Sequence, residues 1–492
     1  MTRHLIAIDQ GTTGTTVVVM NEQMEILAAH NEEYPQHYPK PGWVEHDPEE
    51  IWASGEATLA GALAKAGISG EDVAAIGITN QRETTVLWDR ETGRPVHNAI
   101  VWQCRRTADY CDGLKAAGHV ERVRKTTGLV LAAYFSGTKI RWMLENVEGA
   151  RARAEAGEVA FVSIDTFLTW RLTGGEAHVT DVSNASRTLL MNLKTLDWDP
   201  EMCALFEVPQ SVLPGIRSSA EVYGRTRGVK GLPDGIPVAG MAGDQQAALF
   251  GQACFSPGEG KLTFGTGAFL LVNTGTEIVE STSNMLTTVA WQVGGETHYA
   301  LEGSAFIAGA AVQWLRDGLG IIDSAPAIEA LAESVDDTDG VILVPAFTGL
   351  GAPHWRQDAR GAILNLTRGN TRAHIARACL EGIAQQNADI LQAMEADRGA
   401  PVETLKVDGG ACRNNLLMQM QADLANVEVV RPVHVETTAM GAIFLAGLGA
   451  GVWENTDAIR AVWAEDRRFA PAMDADARTA RRGAWSDALA RV

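Results

Sequence analysis

The chain has 492 residues, of which 46% are hydrophobic and 21% are charged. At about 150 residues per domain, this length predicts more than one domain, and the composition is that of a globular chain and not of a disordered one. Acidic residues outnumber basic ones by 61 to 41, which gives a net charge of −20 at pH 7. So acidic a chain repels both the phosphates of nucleic acid and the anionic surface of a membrane, and we expect neither nucleic acid nor membrane insertion.

The six cysteines include no C-x-x-C pair, which is typical of reduced thiols in a cytoplasmic protein. Only four apolar residues, 5–8, precede Asp9, and this run is too short for the apolar region of a signal peptide. The uncharged segment 437–453 is rich in Gly and Ala. Because a membrane span needs about 20 strongly apolar residues, this segment predicts a buried, tightly packed helix.

A strand–turn–strand pattern occurs once in each half of the chain. The first joins the apolar residues 5–8 and 17–20 through a turn rich in Gly and Thr. The second joins residues 261–264 and 268–272 through the Gly-Thr-Gly sequence at 265–267. Two such hairpins predict two related halves, each with its own turn.

Strand-like and helical segments alternate in the rest of the chain. Apolar runs and helical patterns occur in turn: strands at 74–79 and 237–243, helices at 305–315 and 414–424. This alternation predicts an α/β architecture in which ligands bind beyond the C-terminal ends of the strands. A break at Gly258, just before the second hairpin, places the domain boundary near residue 250.

Turns of Gly and Thr can present backbone N–H groups and hydroxyls to phosphate oxygens without a lysine. One such turn alone is most often a plain connection between strands, but its recurrence in both halves favours a polyphosphate site. Asp9 precedes the first turn and is the candidate ligand for Mg²⁺, a cation that prefers carboxylate oxygens, water and substrate phosphates. Neither the P-loop sequence nor a complete G-x-G-x-x-G is present.

A third glycine motif, at residues 405–411, leads from a predicted strand into a helix that begins near Asn414. Gly410 allows a flat ring or a ribose to approach the backbone closely, while Asn414 either caps the helix or binds the ligand. Gly309 and Gln313 are four residues apart and share one face of a predicted helix. Together they are candidates for nucleotide contact.

Charged and aromatic side chains follow several predicted strands. Trp102 follows residues 98–101, Tyr134 follows 129–131, and the remaining ones come in pairs: Arg82 with Glu83, and Asp244 with Gln245. Each alone could be a surface ion pair or a core aromatic. The mixture suits a small polyhydroxy molecule, because charged groups pair with hydroxyls and aromatic faces cover carbons. Asp244 is the candidate general base for phosphorylating an alcohol.

Five segments resemble the FGGY family of carbohydrate kinases, within the actin/hexokinase/Hsp70 ATPase superfamily. These segments are DQGTT at 9–13, PKPGWVEHDP at 39–48, GITNQRETT at 77–85, AGDQQ at 242–246 and PAFTGLGAP at 345–353. The resemblance covers nearly the whole chain and implies two ribonuclease-H-like α/β domains with a catalytic cleft between them. Residues 1–250 are then the N-terminal domain, with the polyol and magnesium/phosphate site, and residues 251–492 are the C-terminal domain, with the nucleotide site.

The same resemblance implies ATP-dependent phosphorylation of glycerol to sn-glycerol 3-phosphate, with Asp244 as base and Asp9 serving Mg²⁺. It assigns glycerol binding to Arg82, Glu83, Trp102, Tyr134, Asp244, Gln245 and Phe269. It assigns nucleotide binding to Thr12, Thr13, Gly14, Thr266, Gly309, Gln313, Gly410 and Asn414. A homodimer or homotetramer is also implied. An FGGY kinase for another polyol or a pentose is the alternative, and a non-catalytic, actin-like nucleotide-binding protein is a further one.

Three positions depart from the family pattern. Thr16 stands where many relatives carry Arg, which leaves phosphate neutralisation to Mg²⁺ and backbone donors. Asn365 replaces a usual Gly, and the turn there is expected to survive because Asn tolerates positive φ best among non-glycine residues. Cys379 stands where another small residue is common. Residues 228–235, where some bacterial relatives bind an anionic effector, hold only one Lys and an Asp, so no allosteric site is expected.

Overall fold

The structure is a computed structural model that describes residues 3–356 and 358–492. Strands and helices alternate throughout. The strands are β1 (His4–Gln10), β2 (Gly14–Asn21), β3 (Ile26–Glu33), β4 (Glu45–His46), β5 (Val73–Asn80), β6 (Val86–Asp89), β7 (Ala99–Ile100), β8 (Val159–Val162), β9 (Val179–Asp181), β10 (Met191–Asn192), β11 (Asp197–Trp198), β12 (Gly215–Arg217), β13 (Ala220–Arg225), β14 (Pro237–Gly243), β15 (Glu259–Phe264), β16 (Ala268–Gly275), β17 (Leu286–Val293), β18 (Glu296–Ala305), β19 (Ile342–Val344), β20 (Ala362–Leu364), β21 (Thr404–Asp408), β22 (Glu428–Pro432) and β23 (Glu465–Phe469).

The helices are α1 (Pro48–Ala66), α2 (Ala108–Ala116), α3 (Val120–Thr127), α4 (Ser136–Asn146), α5 (Ala150–Glu155), α6 (Ile164–Leu172), α7 (Val182–Ala185), α8 (Pro200–Leu205), α9 (Asp244–Gly251), α10 (Gly309–Asp317), α11 (Ala327–Glu333), α12 (Arg372–Arg398), α13 (Asn415–Ala425), α14 (Thr437–Gly449), α15 (Thr456–Val462) and α16 (Ala475–Leu489). Among the described residues, none of these helices combines the length and the apolar character that crossing a membrane requires.

Two large sheets share one strand pattern. The first sheet has the order β13-β14-β5-β1-β2-β3, and the second has the order β17-β18-β16-β15-β21-β22-β23. In the first, β1, β2 and β3 form an antiparallel meander, and β5 and β14 run parallel to β1. In the second, β15, β16 and β18 form the meander, and β21 and β22 run parallel to β15. The predicted α/β architecture of two related halves is confirmed.

Helices cover both faces of the first sheet, and its central strands accordingly contain continuous apolar runs, such as residues 5–8 of β1. Alternate residues of a strand point to opposite faces, and β1 follows this rule. Ile6 and Ile8 pack with α1, whereas Leu5 and Ala7 pack with α14. The helix predicted from the uncharged segment 437–453 is therefore confirmed as buried, although it ends at Gly449.

Glycines allow α14 to lie directly against the first sheet and α9. A Cβ at Gly77 would lie 2.1 Å from the carbonyl oxygen of Ala442, and one at Gly441 would lie 1.9 Å from the carbonyl oxygen of Ala247. Any larger residue at these positions must push the helix away. A helix from the C-terminal part of the chain is thus packed tightly on the N-terminal sheet, next to the helix that begins at Asp244.

Two sequence predictions of secondary structure are wrong in detail. The helix predicted over 305–315 begins only at Gly309, because Ala305 still belongs to β18 and pairs with Ala268 of β16. The apolar run 129–131 is not a strand but part of the connection between α3 and α4. Its leucines are buried, so the apolar pattern there reports burial alone. Asn365 has a φ of 62°, which confirms that this residue takes the left-handed conformation its turn requires.

Candidate active site

The candidate site is built where parallel strands of the first sheet end. β1, β5 and β14 run side by side, with Asp9 opposite Thr79 and Gly243 opposite Asn80. Residues directly after these strands therefore meet at one edge of the sheet. The structure brings the predicted Asp9, Arg82 and Asp244 together there.

Arg82 and Asp244 form the centre of the predicted polyol cluster. The Nε of Arg82 lies 3.0 Å from Oδ1 of Asp244 in an ion pair, and the backbone N–H of Gln245 donates to the same oxygen at 2.7 Å. The Asp244 side chain is 31% exposed. One carboxylate oxygen is thus held in place by an ion pair and one hydrogen bond, and Oδ2 is left to accept from a ligand.

Glu83 is held in an unusual backbone conformation, with a φ of 63°. Its carbonyl oxygen accepts from the hydroxyls of Thr85 and Ser136, both at 3.1 Å, and from Nζ of Lys139 at 3.3 Å. Its carboxylate Oε1 accepts from Nε of Arg187 at 2.7 Å. Burial raises the pKa of Glu83, although Arg187 and Arg82 act against it. The surrounding donors therefore fix both ends of this residue.

Trp102 and Tyr134 form an aromatic wall beside this cluster, with ring centroids 5.7 Å apart in an edge-to-face arrangement. The indole N–H of Trp102 donates to Oγ1 of Thr12 at 2.9 Å, and Nζ of Lys139 donates to the carbonyl of Tyr134. Trp102 thus touches both the aromatic wall and the first Gly/Thr turn. Trp102 therefore connects residues predicted to bind the polyol with a residue predicted to bind phosphate, although the two predictions came from separate parts of the sequence.

Gln245 is held from the second sheet. The Nζ of Lys261 donates to Oε1 of Gln245 and, at 2.7 Å, to Oγ1 of Thr263. Thr263 pairs with Phe269 across the second hairpin. Burial lowers the pKa of Lys261 to about 8. The second sheet therefore supplies the predicted Phe269 and a buried lysine to the same region.

The first turn, with Thr12, Thr13 and Gly14, is closed by hydrogen bonds. The N–H of Gly11 donates to the carbonyl of Gly14 at 2.9 Å, and the hydroxyl of Tyr34 lies 2.8 Å from the carbonyl oxygen of Thr12. A Cβ at Gly14 would lie 2.7 Å from the carbonyl oxygen of Glu32, so glycine is required there. The turn is anchored from behind, and the side chain of Thr13 is exposed.

The second turn is joined to the start of α10. The N–H of Gly309 donates to the carbonyl of Gly265 at 3.0 Å, and the N–H of Ala308 donates to the carbonyl of Thr266 at 2.8 Å. The predicted Thr266 and Gly309 are therefore adjacent. Gln313 is exposed, one turn further along the same helix.

The third glycine motif lies beside the second turn. Gly409 has a φ of 81°, and a Cβ there would lie 2.4 Å from the carbonyl oxygen of Phe264. Gly410 follows and is exposed. Asn414 caps α13, with Oδ1 accepting from the N–H of Leu417 at 2.8 Å. Of the two roles left open by the sequence, the structure thus provides the cap.

The electrostatics of Asp9 fit a cation. Burial and the nearby carboxylates of Asp244 and Glu436 raise the pKa of Asp9 to about 8, which means that its negative charge is not compensated by the protein. A magnesium ion would supply that compensation. Within the described ranges, no group of three or more His, Cys, Asp or Glu side chains could hold a metal ion. A metal at Asp9 therefore depends on water and substrate oxygens for its remaining ligands.

The sequence profiles of the FGGY family of carbohydrate kinases match most of the chain. The family's N-terminal domain matches residues 4–251, and its C-terminal domain matches residues 260–450. The chain belongs to the FGGY family of carbohydrate kinases. Its fold is the two-domain FGGY fold, which is that of the actin/hexokinase/Hsp70-like ATPases.

Relatives within the FGGY family match over the full length. A glycerol kinase of Myxococcus xanthus is 59% identical over 492 residues, which cover 100% of this chain and 99% of the relative. The crystal structure of Plasmodium falciparum glycerol kinase with ADP superposes with a TM-score of 0.93 and 38% identity, covering 100% of this chain and 98% of that one. A xylulose kinase from Rhodospirillum rubrum has a TM-score of 0.86 and 25% identity, covering 99% and 98%.

Sequence reasoning missed several buried charges that hold the FGGY site residues in place. The main ones are Lys139, Arg187, Lys261 and Glu302. Two of them carry a local signal that could have found them: Lys261 and Glu302 are charged residues in the interior of strands, each flanked directly by glycine and leucine. A charge in a buried strand is rarely tolerated without a partner, so its presence indicates one.

Proposed function

We propose that this chain transfers the γ-phosphoryl group of ATP to glycerol and forms sn-glycerol 3-phosphate. The observation that carries the proposal is the arrangement around Asp244. This carboxylate is oriented by Arg82, lies beside an aromatic wall, and shares a sheet edge with Asp9 and the first Gly/Thr turn. The full-length similarity to glycerol kinases supports glycerol as the acceptor.

Glycerol binds, in this proposal, between charged and aromatic side chains. Arg82 donates to a hydroxyl, and Glu83 accepts from a hydroxyl through Oε2, because Oε1 is already bonded to Arg187. Tyr134 and Gln245 supply further polar contacts. Trp102 and Phe269 cover the carbon atoms. A three-carbon polyol offers both the hydroxyls and the short carbon chain that such a pocket needs.

Asp244 is the proposed general base. Its Oδ2 accepts the proton of the terminal hydroxyl of glycerol while the hydroxyl oxygen attacks the γ-phosphorus. The bond between the γ-phosphorus and the β–γ bridging oxygen breaks, so that ADP leaves. Oδ1 stays paired with Nε of Arg82 and accepts from the N–H of Gln245, which fixes the direction of the carboxylate. The chain's own contribution is thus orientation of the hydroxyl and acceptance of its proton.

The two Gly/Thr turns are the proposed phosphate contacts, through Thr12, Thr13, Gly14 and Thr266. Gly309, Gln313, Gly410 and Asn414 lie around the second turn and are the proposed contacts to the rest of the nucleotide. Asp9 would hold Mg²⁺, which when bound neutralises phosphate charge during transfer. The raised pKa of Asp9 supports this role, because an uncompensated carboxylate attracts a cation.

The test is ADP formation from Mg-ATP with and without glycerol, in the wild type and in Asp244→Asn. The amide keeps the shape of the carboxylate but cannot accept the proton. We expect glycerol-dependent activity in the wild type, and a loss of at least about 100-fold in kcat in the variant, as is typical when a general base is removed. Asp112→Asn, a change at an exposed carboxylate, is the matched control. Equal kcat values in wild type and Asp244→Asn would exclude Asp244 as the base.

The same proposal includes the organisation of the chain. Residues 1–250 form the domain with the polyol and magnesium/phosphate site, and residues 251–492 form the domain with the nucleotide site. The family resemblance supports a homodimer or homotetramer in the cytoplasm. Light scattering on the purified chain, which gives the mass of the assembly in solution, decides between the two.

A further inference from the structure

Four buried charges join the proposed polyol residues to the second sheet. Glu302, in the middle of β18, accepts from Arg82 at 2.5 and 3.0 Å and from Arg187 at 3.0 Å. Arg187 in turn donates to Glu83 at 2.7 Å. All four side chains are at most 2% exposed. The result is a chain of alternating charges, Glu83–Arg187–Glu302–Arg82, that begins and ends on a proposed glycerol ligand.

Such a cluster is not a source of stability by itself. Removing charges from water is costly, and replacing a buried ion pair with apolar residues is often neutral or stabilising. Burial acts to raise the pKa of Glu302, but the charges of Arg187 and Arg82 outweigh it and lower the pKa to about 2. Glu302 is therefore held as a charged carboxylate by the two guanidinium groups. A permanently charged group in the core needs a reason other than packing.

The geometry of Arg82 supplies that reason. A guanidinium has five N–H groups in a rigid plane. Arg82 uses two for Glu302 and one for Gln246, at 3.3 Å, while its Nε lies 3.0 Å from Oδ1 of Asp244 in an ion pair. The N–H on Nε and one N–H on Nη2 make no hydrogen bond with the residues that the structure describes and are left for a substrate. Because Glu302 accepts from both Nη atoms, it sets the plane of the guanidinium and with it the direction of these two N–H groups.

Arg187 does the same for Glu83. By donating Nε to Oε1, it leaves Oε2 as the oxygen that faces a ligand. Arg187 also spans to Glu302 through Nη2, so the two ligands Arg82 and Glu83 are held by one shared pair. Neither Arg187 nor Glu302 is among the residues proposed to touch glycerol.

We propose that Glu302 and Arg187 are positioning residues of the polyol site, which orient Arg82 and Glu83 toward the acceptor hydroxyls and make acceptor affinity depend on the second sheet. This inference rests on the proposed function, because the oriented groups are the proposed glycerol ligands. β18 continues from Glu302 to Ala305, and Ala308 then bonds to Thr266 of the second turn. The strand that carries Glu302 is thus followed directly by the segment that is hydrogen-bonded to the second turn.

The test compares KM and kcat for glycerol and for ATP in the wild type, Glu302→Gln, Arg187→Gln and the double variant. We expect Glu302→Gln to raise the KM for glycerol roughly 10- to 100-fold, because a charge-assisted pair that orients Arg82 is lost. The KM for ATP should change less than about threefold, since the phosphate contacts stay in place. In the double variant the fold-increase in the KM for glycerol should be smaller than the product of the fold-increases in the two single variants, because the two residues act through one network.

Asp389→Asn is the matched control. Asp389 is a mostly buried carboxylate that pairs with Arg482 and accepts from Trp485 at 2.8 Å, away from the polyol cluster. We expect this variant to lower the melting temperature and leave the KM for glycerol unchanged. If Glu302→Gln behaves like Asp389→Asn, with a lower melting temperature and an unchanged KM for glycerol, the positioning role is wrong. Equal increases in both KM values would overturn it as well.

A milder variant protects the test against misfolding. Arg187→Lys keeps the buried charge but loses the planar guanidinium that reaches Glu83 through Nε and Glu302 through Nη2, and we expect an intermediate increase in the KM for glycerol. A KM equal to that of the wild type would contradict the bridge. Failure of the proposed function is seen separately, as a wild type that prefers another acceptor, and the variants are then compared on that acceptor with the same expectations.

Discussion

A single methyl group at Gly441 should disturb both the stability and the catalysis of this protein. Gly441 lies on α14, where the helix crosses α9, and α9 begins at the proposed base Asp244. A Cβ at this position would lie 1.9 Å from the carbonyl oxygen of Ala247 and 2.6 Å from its carbonyl carbon. Both atoms belong to backbone and cannot turn away.

The size of the effect follows from these distances. Ordinary contact begins at 3.4 Å, so α14 and α9 must separate by about 1.5 Å to admit the methyl group. Overpacking of this kind costs about 3 kcal/mol, and the better helix propensity of Ala returns about 1 kcal/mol. We therefore expect Gly441→Ala to lower the free energy of unfolding by about 2 kcal/mol, which corresponds to a melting temperature lower by about 4–8 °C in a domain of this size.

Catalysis should suffer more than stability. Ala247 is three residues, nearly one helical turn, from Asp244, and a misplacement of about 1 Å can cost 100-fold in rate. The assay is scanning calorimetry together with kcat for glycerol phosphorylation. Gly483→Ala is the control, because Gly483 is helical and has open space around its Cβ position, so this variant should be slightly stabilised with normal kcat. A melting temperature of Gly441→Ala at or above that of the wild type would refute the packing argument.

Three smaller changes test the surroundings of the site. Trp102→Phe removes the N–H that donates to Thr12 at 2.9 Å, and we expect the KM for ATP to rise about fivefold in steady-state assays; an unchanged KM would show that Thr12 does not need this bond. Asn414→Ala should lower stability in thermal unfolding by about 1 kcal/mol through loss of the α13 cap, and Asn414→Ser should restore it. A higher KM for ATP in both variants would identify Asn414 as a nucleotide ligand, and a higher KM in neither would leave it as a cap alone. Burial lowers the pKa of Lys139 from 10.5 to about 7. Between pH 7 and pH 10.5 the unfolded chain therefore binds more protons at this residue than the folded protein does. The free energy of unfolding rises with pH across this window, and the gain is lost as the pH falls back to 7. Lys139→Met should remove this rise, which amounts to at most about 1.4 kcal/mol per pH unit in urea unfolding across that window; parallel curves for wild type and variant would contradict a titrating Lys139.

Local features of the fold were predictable from sequence. The two hairpins, the strands 74–79 and 237–243, and the buried helix after Glu436 each depend on an apolar run and its flanking Gly, Thr or charged residues. Whether such a run is buried can be predicted without knowing which strand or helix packs against it. The sheet edge that gathers Arg82 and Asp244 also followed from the rule that parallel strands end together.

Features set by distant pairing were not predictable in the same way. The start of α10 depends on how far β18 pairs with β16, and the apolar run near Leu131 is buried without being a strand. The bond between Arg82 and Glu302 joins residues 220 positions apart. Without the three-dimensional pairing, Glu302 is visible only as a charge between Leu301 and Gly303 in the interior of a strand, and its partner cannot be named.

The most direct measurement of the proposed function is the comparison of kcat/KM for glycerol, dihydroxyacetone, glyceraldehyde and xylulose with Mg-ATP, with the product identified by a stereospecific sn-glycerol-3-phosphate dehydrogenase. We expect glycerol to exceed xylulose by about 100-fold or more, because a pocket shaped for three carbons excludes a pentose, and we expect the product to be sn-glycerol 3-phosphate. A higher kcat/KM for xylulose, or ADP formation that does not depend on any acceptor, would contradict glycerol phosphorylation as the function of this chain.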